Sequence, residues 1–206
     1  MFKKLEKSLN KRQNIIIFQL NYFTVDIKMK NPFIIGKQIY LRAMEDGDKE
    51  IIAISENHPD SRETLFYALP TYLDSIRDKW HKLRDDSNAI VFIICSKNPD
   101  KPIGIAAFHR IDWVGRMAIF YIAIAKAENR SKGFGTESTD LMVNYAFNTL
   151  NLNRIQLHVA LKNGKAINIY KKIGFEIEGT LRQAMYQDGQ YYDFYVMGLL
   201  KNDYKK

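Results

Sequence analysis

The sequence predicts one mixed α/β domain over residues 31–206, and three observations predict it. Short apolar runs of strand length, such as 89–95 and 118–125, are interleaved with stretches of helical periodicity such as 136–150. The element order is β-α-α-β-β-β-α-β-α-β-β, mixed rather than strictly alternating. No internal repeat, low-complexity tract or linker interrupts the chain after residue 30. A length of 206 residues gives one domain a sizeable core, and 46% hydrophobic with 26% charged residues is an ordinary globular balance.

Charge narrows the function. The net charge of +8 would suggest an acidic partner, yet residues 1–30 hold seven Lys or Arg against two Asp or Glu. The remaining 176 residues therefore carry only +3, which argues against a basic face for nucleic acid. Residues 1–30 read as an extension separate from the domain. Their apolar core, Ile15 to Phe18, is too short for a membrane span and lacks a signal peptide's longer apolar run and cleavage site. An interfacial helix, a strand added at the sheet edge, or an upstream stretch before a natural start at Met29 all remain open. The single cysteine, Cys95, excludes an intramolecular disulfide framework and fits a reducing cytoplasm. It lies in the apolar run 90–95, so we expect a core residue rather than a nucleophile.

Taken in order, residues 38–42 alternate like a first strand. Asp46 or Asp48 caps a helix over 49–56, and Thr71 to Asp74 reads as a capping box before a second helix. Leu73, Ile76, Trp80 and Leu83 share one face of that helix. Strand 89–95 ends in a turn over 96–102, and strands 103–111 and 116–125 form an antiparallel pair around Gly115. Helix 136–150, strand 154–160 and a short helix 163–172 ending at Gly174 follow. Two last strands, 176–187 and 190–199, are joined by Asp188-Gly189, a strong hairpin signal.

The chemistry concentrates between the strand 118–125 and the helix 136–150. Arg130-Ser131-Lys132-Gly133-Phe134-Gly135-Thr136 joins them, and glycines at 133 and 135 permit a tight turn with outward N–H groups. The helix start adds unpaired N–H groups and a positive dipole end, and Arg130 and Lys132 add charge. Strand, glycine-rich turn and helix N-terminus together make an anion site suited to phosphate. Neither the P-loop nor the dinucleotide G-x-G-x-x-G spacing is present, since Ser138 stands where the third glycine would be.

The spacing R-x-x-G-x-G-T instead resembles the acetyl-CoA pyrophosphate loop of the GNAT superfamily of N-acetyltransferases. A second stretch, Asn163 to Phe175, is similar to that superfamily's N-x-x-A-x-x-x-Y-x-K-x-G-F segment. Gly179 to Arg182, Tyr186 to Gly189, Asp193 and Met197, with Tyr40-Leu41-Arg42 and Asp46, resemble the subgroup of ribosomal-protein alanine (Rim type) and spermidine N-acetyltransferases. The resemblance covers about residues 33–203. It implies a mostly antiparallel twisted sheet with helices on both faces, acetyl-CoA as co-substrate, and room for a homodimer. It further implies that backbone of Ile122, Ala123 and Ile124 pairs with the pantetheine arm, and that Arg130, Ser131, Lys132, Gly133, Phe134, Gly135 and Thr136 hold the pyrophosphate. Asn163 would bond pantetheine, Lys172 would lie near the nucleotide end, and Tyr170 would be the general acid.

The chemistry agrees. Acetyl transfer to an amine develops an oxyanion that needs a backbone donor, a departing thiolate that needs a proton, and an amine proton that needs an acceptor. Related enzymes often place an acid on the strand before the loop, where this chain has Ile119. His109 and His158 read as ordinary strand histidines, so ordered water is the expected route for the proton. Four scattered histidines and one cysteine lack metal-ligand spacing. The resemblance implies a primary amine as acceptor: a protein N-terminus, a polyamine, an amino sugar or an amine-bearing antibiotic. Its selection is expected from residues 56–72 and from Tyr186 and Tyr192. Glu56, Asp60 and Glu63 there read as solvated charge beside Arg62. The alternative is a CoA-binding regulatory or ribosome-associated module without turnover, suggested by the missing acid.

Overall fold

The computed structural model describes residues 30–63, 65 and 68–205, with nothing described of the Asp60 and Trp80 side chains. The expectations for residues 1–29, and for Trp80 on its helix face, lie outside the described residues. The domain is built from β1 (Ile34–Ile35), β2 (Ile39–Arg42), α1 (Lys49–Asn57), α2 (Pro59–Arg62), α3 (Leu73–Asp85), β3 (Ile90–Lys97), β4 (Asp100–Asp112) and β5 (Met117–Ile124). It continues with α4 (Phe134–Asn148), β6 (Arg154–Ala160), α5 (Gly164–Ile173), β7 (Glu176–Gln187) and β8 (Gln190–Leu200). The strands form one eight-stranded sheet in the order β1-β2-β3-β4-β5-β6-β8-β7. Every neighbouring pair is antiparallel except β5 with β6.

Alternation along the strands sorts side chains to two faces. On one face Ala118 and Phe120 of β5 with Ile155, Leu157 and Val159 of β6 join Met142, Val143, Ala146 and Phe147 of α4 in the main core. On the other face Ile119 and Tyr121 point toward the side where α1 and α3 bury Ile52 and Ile76. Helices thus cover both faces, as expected for a mixed sheet. Cys95 is a buried core residue on β3.

Local chemistry explains most boundaries. Gly174 ends α5 in the left-handed region at φ 115°, and Asp188 and Gly189 turn the last hairpin at φ 50° and 82°. Of the alternatives Asp46 and Asp48, the second caps α1 by position but makes no side-chain cap hydrogen bond. Its carboxylate instead accepts from Arg42 Nη1 at 2.7 Å and Nη2 at 2.8 Å, and from the Glu45 N–H at 2.8 Å. Both charged partners are buried, and the Asp48 hydrogen bond raises the Arg42 pKa further. The capping box predicted at Thr71 does not form. Tyr72 is the N-cap of α3 without a side-chain cap, because the Thr71 hydroxyl donates to Glu56 at 2.8 Å. Helix α4 begins two residues earlier than its periodicity suggested, inside the glycine-rich loop. Among the described residues no helix is long and apolar enough to cross a membrane.

Candidate active site

The parallel pair β5/β6 is joined over only three positions, Met117↔Arg154, Ala118↔Ile155 and Ile119↔Gln156. Beyond Ile119 each strand stays paired on its outer side only. β5 follows β4 as far as Ile124↔Gly104, and β6 follows β8 as far as Ala160↔Phe194. The inner backbone groups of residues 120–124 therefore face a gap with no ladder partner among the described residues. A cleft of about 690 Å³ opens there, walled by residues 120–124, the glycine-rich loop, the first turns of α4 and one face of α5. Backbone polar groups need partners, so this wall is suited to a ligand with its own amide groups, bound as an added strand would be.

The loop closes one end of the cleft. Ser131 at φ 61° and Gly133 at φ 85° turn the chain through the left-handed region, and Gly133 caps α4 with no side-chain hydrogen bond. The first N–H groups of α4 are thus left for an anion. A Cβ on Gly135 would meet only Ile169 Cδ1, at 4.0 Å, so protein packing does not demand glycine there. The space it spares belongs to the cleft. Arg130 lines the cleft and reaches Ser61 Oγ at 3.1 Å, tying loop to α2. Glu137 anchors the helix start from behind: its carboxylate accepts the backbone N–H groups of Lys37 and Gln38. Arg130, Ser131, Gly133, Gly135 and Thr136 line the cleft, whereas Lys132 and Phe134 do not. Lys132 is exposed, and Phe134 packs against the main core.

Helix α5 supplies the opposite wall. Asn163 caps it, its Oδ1 accepting the Ala166 N–H at 3.2 Å, while the residue also lines the cleft. Tyr170 lines the same wall, nine-tenths buried, its ring 5.8 Å from that of Phe175. Burial, then the neighbouring Tyr121, pushes its phenol well above the ordinary range, so it holds its proton at any physiological pH. Lys172 is exposed and does not line the cleft; Lys165 and Asn168 do. Sequence reading missed these two, although Lys165, Ala166 and Ile169 are neighbours at helical spacing.

A second cavity, of about 230 Å³, lies against α1, α3 and strands β3 to β5. Tyr121 lines both spaces. His109 lines the second cavity, and His158 lines the cleft. Burial lowers the pKa of each, with Arg110 adding to the effect, so both imidazoles are neutral near pH 7. His109 stands directly across from Ile119 in the β4/β5 register. Tyr186 and Tyr192, expected near the acceptor, line neither space.

A splayed parallel pair, a glycine-rich turn at a helix start and a buried tyrosine define the acyl-CoA N-acyltransferase class of fold. Residues 38–176 match the family model of the acetyltransferase (GNAT) domain, and the chain belongs to that family. It is similar to the spermidine N(1)-acetyltransferase of Vibrio cholerae serotype O1, 31% identical over 82% of this chain and 96% of that one. The Bacillus subtilis protein YdaF, named for ribosomal N-acetylation, is 30% identical over 83% and 96%. The crystal structure of the Vibrio cholerae spermidine N-acetyltransferase in complex with CoA and spermine superposes with a TM-score of 0.77. It is 30% identical and covers 82% of this chain and 99% of that one. The protein is an acetyl-CoA-dependent N-acetyltransferase.

Proposed function

We propose that the protein acetylates a primary amine by direct attack within the β5/β6 cleft. Acetyl-CoA, when bound, supplies the activated acetyl thioester. The observation that carries the reading is the splay of β5 from β6 after Ile119, where residues 120–124 line the cleft without a ladder partner on that side, leading to a helix start with no side-chain cap at one end and to Tyr170 on the opposite wall. Backbone of Ile122, Ala123 and Ile124 pairs with the pantetheine amides, and an N–H of this strand meets the charge that develops on the acetyl oxygen. Arg130 with the N–H groups of the loop and first turn, through Thr136, holds the pyrophosphate. Asn163, whose Oδ1 is engaged in the cap, offers its amide N–H groups to pantetheine. Tyr170 protonates the departing thiolate, a role its raised pKa suits, since the phenol is fully protonated before the step. Ordered water carries away the amine proton.

Thiol release from acetyl-CoA across a panel of amines tests the reading: protein N-terminal peptides, polyamines and small monoamines. Amine-dependent release is expected. Tight CoA binding with no release from any amine would sink it.

A further inference from the structure

Tyr121 lines the cleft and also the second cavity, on the α1 and α3 side of the sheet. Resting on the acetyl-transfer reading above, we propose that this cavity is the acceptor chamber. We further propose that it selects a primary amine carried on a compact apolar group rather than a polyamine. Most of the wall is hydrocarbon, from Met44, Ile52, Ile76, Leu83, Val91 and Ile105. Among the described residues, Glu56 is the one carboxylate in it. That carboxylate is already engaged: Oε1 accepts from Lys79 Nζ and Oε2 from the Thr71 hydroxyl, each at 2.8 Å. The Glu56 side chain is buried, so its charge is matched locally by Lys79 and little is left for a substrate cation.

One fully buried side-chain polar atom in the wall has no partner among the described residues. That atom is Oγ of Ser55, a residue buried at 3% exposure. A buried hydroxyl without a partner costs free energy, and an occupant with a single polar atom opposite Ser55 would relieve it. The volume admits about eight water-sized groups at ~30 Å³ each, which is the scale of a phenylalkylamine or branched alkylamine. Size alone would not exclude spermidine; charge does. Each further ammonium of a polyamine would enter an apolar wall without a free carboxylate and face the Lys79 charge as well. A monoamine enters as the neutral base, with its nitrogen at the Tyr121 and His109 end and its hydrocarbon inward.

The test is thiol release by the full chain at saturating acetyl-CoA, comparing 2-phenylethylamine and isopentylamine with spermidine. We expect kcat/KM for the monoamines to exceed that for spermidine by about 10–100-fold. Equal or better use of spermidine would overturn the proposal while leaving acetyl transfer intact. Release from no amine would overturn it together with the reading beneath it. Lys79→Met is the second arm, chosen because Lys79 is half exposed and its loss spares the core. It leaves Glu56 Oε1 without its cation while Thr71 keeps Oε2, so the spermidine-to-monoamine ratio should rise at least about tenfold. An unchanged ratio in a folded Lys79→Met protein would show that the acceptor does not occupy this cavity.

Discussion

Tyr121 lines both the cleft and the cavity, yet the two are built from different materials. The cleft is framed by backbone features: a stretch of β5 with no ladder partner toward β6, a helix start with no side-chain cap, and a glycine at 135 whose spared space faces the cleft. The cavity is made of side chains from β2's end, α1, α3 and three strands, brought together only by the fold. Backbone sites impose fixed spacing on the chain, because left-handed turns and helix caps admit few residue types. Side-chain sites impose none, so the cleft is written as a motif and the cavity is not.

Four variants or conditions would break or sharpen that contrast. The largest effect is expected from Tyr170→Phe, which keeps the ring against Phe175 and removes only the hydroxyl. It should lower kcat by about 10²–10⁴-fold at similar KM and leave CoA affinity unchanged. A wild-type rate, under conditions where chemistry limits turnover, would make this tyrosine a packing residue.

On the cavity side, Asp48→Ala strands the buried Arg42 guanidinium at the start of α1. We expect about 3–5 kcal/mol of destabilisation in urea unfolding. A loss under about 1 kcal/mol would mean that water reaches the guanidinium and that the pair is not a closed anchor.

Gly135→Val targets the backbone site directly. CoA at about a hundred times its Kd should stabilise the wild type by about 2.7 kcal/mol, a Tm rise of about 5–10 °C for a chain of this size. The variant should fold by circular dichroism and show no such rise. A retained shift would remove the loop from the binding site.

The smallest effect concerns pH. Burial, then Arg110 and His158, holds the His109 pKa below its ordinary value in the folded protein. The unfolded chain therefore takes up this proton first as pH falls. Stability from this group is complete above the unfolded value of about 6.5 and declines below it until the folded pKa is reached. His109→Gln should flatten the urea midpoint between pH 7 and 5.5; an unchanged slope would assign that dependence to other groups.

The same contrast explains what was legible. Gly133 and Gly174 sit in the left-handed region and Asn163 caps α5, so the two motifs landed on the elements expected of them. Lys132, Phe134 and Lys172 fit the motifs but do not line the cleft, because a motif fixes the backbone path and not where each side chain points. The Thr71 capping box failed for a tertiary reason: Glu56, fifteen positions earlier, claims the hydroxyl. Strand β1 escaped notice because two paired residues carry no periodicity. The cavity was legible only as a region. Residues 56–72 contributed Glu56, whereas His109, Ser55 and Lys79 entered it from elements whose packing no local pattern announces.

The short β5/β6 joint also bears on how the molecule assembles. Strands β1 to β5 come from residues 34–124 and pair in chain order, while β6 to β8 come from residues 154–200. Each block is contiguous in sequence and rich in hairpins, so each is kinetically accessible from near neighbours. Among the described residues of the sheet, only the three β5/β6 pairings reach across the intervening helix α4 to unite the blocks. We expect native-state hydrogen exchange to show the amides of that joint opening at lower free energy than those of β3 and β4. A ligand lying along residues 120–124 would then fasten the two blocks, making substrate the last splint of the sheet.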